Sequence, residues 1–448
     1  MSEYDFDVVI LGAGPGGYET ALKCRKNDLS VCLIEKDETG GTCLNRGCIP
    51  TKALLHGSEK LHELADLEVL GIKAENVTFD YSVLAQYKNS IVAKLRSNVE
   101  MMLKRAGVVC RQGYGRLKDA HTIEVGEECV SGKDIILATG SSPLVLPVKG
   151  IENTINSDQF LAMEQLEDEN WAIIGGGVIG MELAFVLGQL GRKVTVVEMM
   201  PSILPGVDAS ILKWLNRSIK KLGIKVFTSA RVERIEKDRI IYTYKDRQEE
   251  LPFDKCLAAA GRKNNIDDIG LETAGVVRER NRIPVDEHLR TNVENIYAIG
   301  DVTGIKQLAH VATYQGTVAV ENILGHDVKA DYSVIPACIF VSPVISMVGL
   351  SEKELQDKGI EYESVSYNVG ANGKALLSQK GEGTVIIYYS REDKKILGCQ
   401  MIAESSSEMI NEISVIMKKD GTLMDIASTV HPHPTIGEIV KEASEKGC

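Results

Sequence analysis

Short apolar runs bounded by glycine recur along this chain, and the first sets a pattern. Phe6 to Leu11 (FDVVIL) reads as a buried strand that enters Gly12-Ala13-Gly14-Pro15-Gly16-Gly17 and then an amphipathic helix from Tyr18 to Lys26. A second strand, Ser30 to Ile34, ends at Glu35. Strand, GxGxxG, helix, strand and acid is the order of a dinucleotide-binding βαβ unit. There Gly12 makes the tight turn, Gly14 lets the backbone approach a pyrophosphate, and Gly17 lets helix pack closely on strand. Glu35 would accept from a ribose hydroxyl. GxGxxG alone is a weak signal; in this setting it is strong.

The unit then recurs. Trp171 to Ile174 is a strand, Gly175-Gly176-Gly177-Val178-Ile179-Gly180 the turn, Met181 to Leu190 the helix, and Lys193 to Val197 a strand ending at Glu198. Gly12, Gly14, Gly17, Glu19 and Glu35 reappear as Gly175, Gly177, Gly180, Glu182 and Glu198, all at one offset of 163 residues. Two bound dinucleotides are implied, the arrangement of an enzyme that moves electrons between them. Ile135–Gly140 (IILATG) and Cys256–Gly261 (CLAAAG) are a further matched pair of buried strands ending in glycine. Between Val226 and Cys256 the alternation is that of a β-meander, and Tyr297-Ala298-Ile299-Gly300-Asp301 reads as a strand that rejoins the first unit.

Past Asp331 the character changes to an α+β pattern. Strands are expected near 335–341, 384–389 and 396–402, and helices at 406–418 and 436–445. Residues 332–351 carry no charge, yet Pro336, Pro343 and many β-branched residues make them two buried strands rather than a membrane helix.

Composition narrows the function. A chain of 448 residues, 44% hydrophobic and 25% charged, is an ordinary soluble multidomain protein. A net charge of −12 and only 5% aromatic residues argue against nucleic acid and anionic membrane as partners. The acidic start (Glu3, Asp5, Asp7) has no signal-peptide character, so a reducing, cytoplasmic setting is expected. Cys24, Cys32, Cys256 and Cys338 read as small core residues.

The chemistry concentrates in Gly40-Gly41-Thr42-Cys43-Leu44-Asn45-Arg46-Gly47-Cys48-Ile49-Pro50-Thr51-Lys52. In a regular helix residues i and i+5 have Cα atoms roughly 8–9 Å apart, whereas a disulfide needs about 4.4–6.8 Å. Pairing of Cys43 with Cys48 therefore demands a distorted backbone, which Gly47 and Pro50 would accommodate. Two unpaired thiols, or half of a zinc site, stay open on spacing alone. Close sequence proximity of Glu35 and Cys43 puts the first dinucleotide beside the cysteines. A flavin exchanges electrons with both thiols and nicotinamide, so FAD is expected in the first site and NAD in the second. Glu198, followed by Met199 and Met200 rather than arginine, suits a free 2′-hydroxyl and favours NAD over NADP. Near the C-terminus, His431-Pro432-His433-Pro434-Thr435-Ile436-Gly437-Glu438 sets a rigid His433 beside a carboxylate, the pattern of a general acid–base pair. A structural histidine, or a His-x-His metal site lacking a third ligand, fits the same residues.

The GGTCLNRGCIPTK run, both GxGxxG units, YAIGD and HPHPTxxE resemble the pyridine nucleotide–disulfide oxidoreductases over essentially the whole chain, and most of all the dihydrolipoamide dehydrogenases. The resemblance implies an α/β protein with two Rossmann-like dinucleotide-binding domains and a C-terminal α+β dimerisation domain. Residues 1–143 would begin the FAD-binding domain, 144–264 would form the NAD-binding domain, 265–330 would rejoin the FAD domain, and 331–448 would form the dimer interface. It further implies a redox disulfide in which Cys43 exchanges with lipoamide and Cys48 lies next to the flavin. Lys52 with Glu182 would sit near flavin N5, and Asp301 would contact the ribityl chain. Thr42, Gly115, Thr139, Gly140 and Ala309 would also line FAD, while Gly175, Gly177, Gly180, Glu182, Glu198, Val232 and Gly261 would surround NAD. His433, oriented by Glu438, would serve the cysteines of the other subunit of a homodimer. The lipoyl group would arrive on a separate carrier protein of a 2-oxoacid dehydrogenase or glycine cleavage system. A glutathione-reductase-like enzyme is the nearest alternative, but arginines normally follow its second acid. A non-catalytic FAD-binding subunit would not need Cys43, Cys48, His433 and Glu438 together. No metal is implied, and Cys448, lacking a partner thiol beside it, reads as a tail.

Overall fold

In the computed structural model, which describes residues 3–448, Val8, Val9 and Ile10 are fully buried, as a strand covered on both faces requires. They lie in β1 (Phe6–Leu11), followed by α1 (Pro15–Lys26) and β2 (Val31–Glu35). Pro15 occupies the first turn of α1, where its missing N–H costs nothing, and Lys23, Arg25 and Lys26 complement the dipole at the other end. Next come α2 (Gly41–Arg46), α3 (Cys48–Glu63) and the long α4 (Tyr81–Ala106). Strands β3 (Val109–Gln112), β4 (Gly115–Leu117), β5 (Thr122–Val125) and β6 (Glu128–Leu137) complete this part. The first sheet runs β3-β2-β1-β6-β5-β4, with one more strand supplied from far along the chain.

After β7 (Ser141–Pro143), β8 (Ile155–Asn156) and α5 (Ser157–Leu161), the second unit is built from β9 (Asn170–Ile174), α6 (Val178–Gln189) and β10 (Lys193–Val197). The repeat holds atom by atom. The Gly12 N–H donates to Ile34 O at 2.8 Å, and the Gly175 N–H to Val197 O at 2.9 Å. A Cβ on Gly17 would stand 1.8 Å from Gly12 O, and one on Gly180 would stand 2.0 Å from Gly175 O. Only glycine lets either helix close on its strand.

Beyond α7 (Ala209–Lys221) and β11 (Lys225–Phe227), the expected meander is β12 (Ala230–Ile235), β13 (Arg239–Tyr244) and β14 (Arg247–Pro252). β15 (Lys255–Ala258) returns to the second sheet, ordered β11-β10-β9-β15-β8, and β16 (Arg262–Asn264) pairs with β7. β17 (Ile296–Ala298) then lies parallel to β6, and α8 (Ala309–Ile323) packs on α1.

The C-terminal sheet is antiparallel. Its strands are β18 (Ala337–Ile339), β19 (Ile345–Gly349), β20 (Tyr362–Asn368), β21 (Thr384–Ser390) and β22 (Ile396–Ile402), in the order β18-β19-β22-β21-β20. Helices α9 (Glu352–Asp357) and α10 (Gly373–Leu377) interrupt it, and α11 (Ser406–Lys418), α12 (Leu423–Ala427) and α13 (Glu438–Gly447) follow it. The uncharged 332–351 stretch does form two strands, β18 and β19. Among the described residues no helix is long and apolar enough to cross a membrane.

Several bounds differ from the sequence reading: the strand expected over Tyr297–Asp301 is β17, with Gly300 and Asp301 in the turn after it, and the helices expected from Tyr18 and Met181 start at Pro15 and Val178. β18 is shorter than 335–341, since Pro336 precedes it without an N–H to give and the Phe340 N–H after it donates to Glu182 Oε1 instead of the sheet. α13 starts at Glu438 rather than Ile436, because the Glu438 carboxylate accepts from the Thr435 N–H at 2.9 Å and holds a turn there. Cys24, Cys32 and Cys256 are buried, but Cys338, on edge strand β18, is only half-buried.

Candidate active site

α2 carries Cys43 and α3 opens with Cys48, and the helix breaks between them at Gly47. A Cβ on Gly47 would stand 2.9 Å from Thr42 O and 3.3 Å from Cys43 Cα, so glycine allows the chain to fold back onto the first cysteine. Both residues are thiols here, and they share a hydrogen bond. That bond, donated by Cys43, lowers the Cys48 pKa to about 7, with help from the Lys52 charge and against the pull of the surrounding walls. Position adds to this, because a helix N-terminus favours a thiolate. Cys43 is pushed the other way by the same bond and by burial. The two shifts run in opposite directions, so when the pair loses one proton the charge settles on Cys48.

Lys52 lies one turn beyond Cys48 on α3. Its Nζ donates to Glu182 Oε2 at 2.8 Å, and the Phe340 N–H donates to Glu182 Oε1 at 2.9 Å. The ammonium also sits 4.5 Å from the centre of the Phe340 ring. Glu182, on α6 of the second unit, therefore faces the cysteine helix of the first.

A continuous cavity of about 1590 Å³ joins these groups to both glycine turns, more than the roughly 300–1,000 Å³ usual for one ligand. Gly12, Gly14, Glu35, Thr42, Cys43, Cys48, Lys52, Gly115, Thr139, Gly140, Asp301 and Ala309 line it on the first side. Gly175, Gly177, Glu182, Glu198, Val232 and Gly261 line it on the second. Gly17 and Gly180 lie behind the wall, in the helix–strand contacts described above.

The cradles fit dinucleotides. A Cβ on Gly177 would meet no protein atom within 4 Å and would occupy space the cavity keeps open. A Cβ on Gly41 would come within 2.5 Å of Gly14 Cα, so the cysteine loop closes directly over the first turn. Each terminal acid is held by backbone at both oxygens. Glu35 accepts from Ala13 N–H at 2.7 Å and Asp37 N–H at 2.9 Å, and Glu198 accepts from Gly176 N–H and Met200 N–H, both at 2.6 Å.

Among the cavity residues, Arg262 and Ser141 were not singled out in the sequence, and a third, Cys338, was expected in the core. Arg262 donates to Ser141 Oγ at 2.7 Å and Ser141 O at 2.6 Å, and reaches Thr42 Oγ1 at 3.5 Å. Ser141 in turn donates to Asp301. Arg262 directly follows Gly261, so its place after the strand-ending glycine was the available signal. The third is Cys338, the expected core residue. It lines the cavity, accepts from Ser346 Oγ at 3.4 Å, and has its pKa raised by burial.

His433 and Glu438 sit elsewhere. His433 Nδ1 is 2.9 Å from Glu438 Oε1, and the Thr435 N–H with this histidine holds the Glu438 pKa below its usual value. The pairing is made, but the His433 side chain is 78% exposed, and among the described residues neither of the two lines the cavity. His431 turns away, its Nε2 3.0 Å from Glu412 Oε1.

Comparison with known proteins matches this geometry. The profile described as pyridine nucleotide-disulphide oxidoreductase matches residues 6–316, and that of its dimerisation domain matches 335–444. A dihydrolipoyl dehydrogenase of Chlamydia pneumoniae is 38% identical over 446 residues, covering 98% of this chain and 96% of the relative. One of Geobacillus stearothermophilus is 37% identical over 449 residues, covering 98% and 95%. Among solved structures, LpdA of Mycobacterium tuberculosis superposes with a TM-score of 0.91 at 26% identity, covering 98% of this chain and 99% of that one. The HOCl-induced flavoprotein disulfide reductase RclA of Escherichia coli gives 0.88 at 26% identity, over 98% and 99%.

Gly47→Ala tests the helix break. The added methyl forces Thr42 and Cys43 away, and displacement of a reacting group by about 1 Å can cost on the order of 10²-fold. Oxidation of the Cys43–Cys48 pair, followed by thiol titration, should slow by about tenfold or more. An unchanged rate would show that the close approach at Gly47 does not set the sulfur geometry.

Proposed function

Because the chain belongs to the pyridine nucleotide–disulphide oxidoreductases, we propose that it oxidises protein-bound dihydrolipoamide to lipoamide and reduces NAD⁺ to NADH. The observation that carries this reading is the Cys43–Cys48 pair at the helix break, with Lys52 one turn on, opening on a cavity that runs between two dinucleotide turns. The named relatives support lipoamide over glutathione, as does the absence of arginine after Glu198, where Met199 and Met200 stand.

In the oxidised enzyme Cys43 and Cys48 form the disulfide. A dihydrolipoamide thiolate attacks Cys43 Sγ, and Cys48 leaves as the thiolate that its low pKa favours. The second lipoyl sulfur then attacks its partner in the mixed disulfide, closing lipoamide and releasing Cys43. Two electrons and one proton stay on the cysteine pair, the proton on Cys43 and the charge on Cys48, and the second proton is released. Gly12, Gly14 and Glu35 would hold FAD, which when bound would supply two-electron exchange between thiols and nicotinamide. Glu198 takes the ribose of NAD⁺ and excludes a 2′-phosphate. Lys52 stabilises the Cys48 thiolate, and Glu182 holds Lys52 in place.

His433 is the base for the lipoyl thiols. It is exposed and away from its own chain's cysteines, so it serves the site of the second subunit of the homodimer that the dimerisation domain builds. The substrate is a lipoylated carrier of a 2-oxoacid dehydrogenase or glycine cleavage system, in the cytoplasm.

Three measurements follow. Purified protein offered lipoamide, glutathione disulfide and thioredoxin, each with NADH and NADPH, should turn over lipoamide with NADH far faster than any other pair. Preference for glutathione disulfide would overturn the substrate assignment. Glu198→Arg with Met199→Arg exchanges an acceptor for a phosphate partner. Such charge-assisted bonds are worth about 1.5–3 kcal/mol, so the NAD/NADP ratio of kcat/KM should shift by about tenfold or more. An unchanged ratio would mean that the second fold does not hold the nicotinamide cofactor.

The trans histidine has its own test, since mixing Cys48→Ser chains with His433→Gln chains under subunit exchange should restore activity. One site of the heterodimer collects both lesions and the other is intact. Each parent homodimer should be nearly inactive, as loss of a general acid–base commonly costs about 10²–10⁴-fold. No recovery, with exchange verified by mass-tagged chains, would rule out a histidine acting across the interface.

A further inference from the structure

The loop between Glu198 and α7 forms a wall of the second half of the cavity through Met199, Met200 and Pro205. Its start is pinned by Glu198 as described, and its middle by the Leu204 N–H, which donates to Gly176 O at 2.9 Å. Leu204 is buried and adopts φ +49°, a left-handed conformation that a residue with a Cβ disfavours. Such a residue persists where its surroundings over-determine it.

The loop's far end is fixed from the C-terminal sheet. Gln400 on β22 donates from Nε2 to Gly206 O at 2.9 Å and accepts at Oε1 from the Asp208 N–H at 2.9 Å. Tyr388 on β21 donates its hydroxyl to Asp208 Oδ2 at 2.8 Å. Gln400 and Tyr388 are each 2% exposed, and Asp208 is 7% exposed. Asp208 stands at the N-cap of α7 without capping that helix through its side chain; its carboxylate is turned to the sheet instead. Buried polar groups at such a contact must all be satisfied, and satisfied they specify one geometry.

We propose that Gln400, with Asp208 and Tyr388, is a positioning element for nicotinamide dinucleotide: the dimerisation-domain sheet shapes the wall against which the adenosine end of NAD⁺ lies. The inference rests on the assignment of the second fold to NAD⁺. None of the three residues touches the cofactor; they act through Gly206, Leu204 and Met200. A network that only held domains together would affect both half-reactions alike, whereas a positioning element affects one.

The test is steady-state kinetics of the flavin-loaded dimer carrying Gln400→Met or Tyr388→Phe. The value of kcat/KM for NAD⁺ should fall by about fivefold or more in the first and about twofold or more in the second, in line with coupling through packed networks. The value for dihydrolipoamide and the flavin content should stay at the parent level. Should Gln400→Met fail to fold, Tyr388→Phe, which removes one oxygen, decides alone. Smaller falls, or equal falls for both substrates, overturn the proposal. If those results come with a Glu198→Arg variant that still shifts nucleotide preference, the NAD⁺ assignment stands and only the positioning role is lost. If Glu198→Arg changes nothing either, both fall.

Discussion

The Glu182 carboxylate is almost wholly withdrawn from water, with 5% of its side chain exposed, and its two oxygens are held from opposite parts of the chain. Lys52 reaches it from the cysteine helix, and the Phe340 N–H reaches it from the segment after β18. Removing Lys52 would leave the Glu182 carboxylate buried and without its counter-charge. Both dinucleotide units and the C-terminal domain therefore meet at one group. Whatever orients Glu182 also orients the ammonium that stabilises the Cys48 thiolate. The ion pair converts the arrangement of three sheets into a local electrostatic setting at sulfur.

Both units rest on the same steric rule, a glycine that lets a helix N-terminus approach a strand. The rule is local, which is why it was legible. The offset that carries Gly12 to Gly175 and Glu35 to Glu198 also carries the hydrogen bonds, from Ala13–Glu35 to Gly176–Glu198. The cysteine loop was legible conditionally: five-residue spacing calls for a distorted backbone only if Cys43 and Cys48 pair, and the helix does break at Gly47. The strand that rejoins the first sheet could be placed because Tyr297–Asp301 repeats the short buried run ending in glycine.

Contacts between distant segments left no such trace. Asp208 and Tyr388 are 180 positions apart, and neither stands in a motif, so nothing local marks them as partners. Cys338 looked like core because its neighbours are apolar; an edge strand opening on a cavity is a property of the sheet and not of the segment. Pro336 did mark the start of β18, but its end depended on the Phe340 N–H turning to Glu182, a group on another domain. His433 and Glu438 were recognisable as a pair through their spacing, whereas their distance from the chain's own cysteines is a fact of topology.

The two backbone bonds on each strand-ending acid have a consequence for selectivity under the proposed assignment of these acids to ribose hydroxyls. Glu35 and Glu198 are each anchored at both oxygens by main-chain N–H groups, and an ionised carboxylate has about four acceptor positions. Roughly half therefore stay free for sugar hydroxyls, already pointed by the backbone. Freezing such a side chain on binding would otherwise cost about 0.5–1.5 kcal/mol. The same rigidity works against the wrong guest. A free glutamate could swing aside for an added phosphate, but Glu198 would first have to abandon two main-chain donors. Under the proposed assignment of Glu198 to the nicotinamide dinucleotide, acceptance of one nucleotide and refusal of its phosphorylated relative come from a single immobilised side chain.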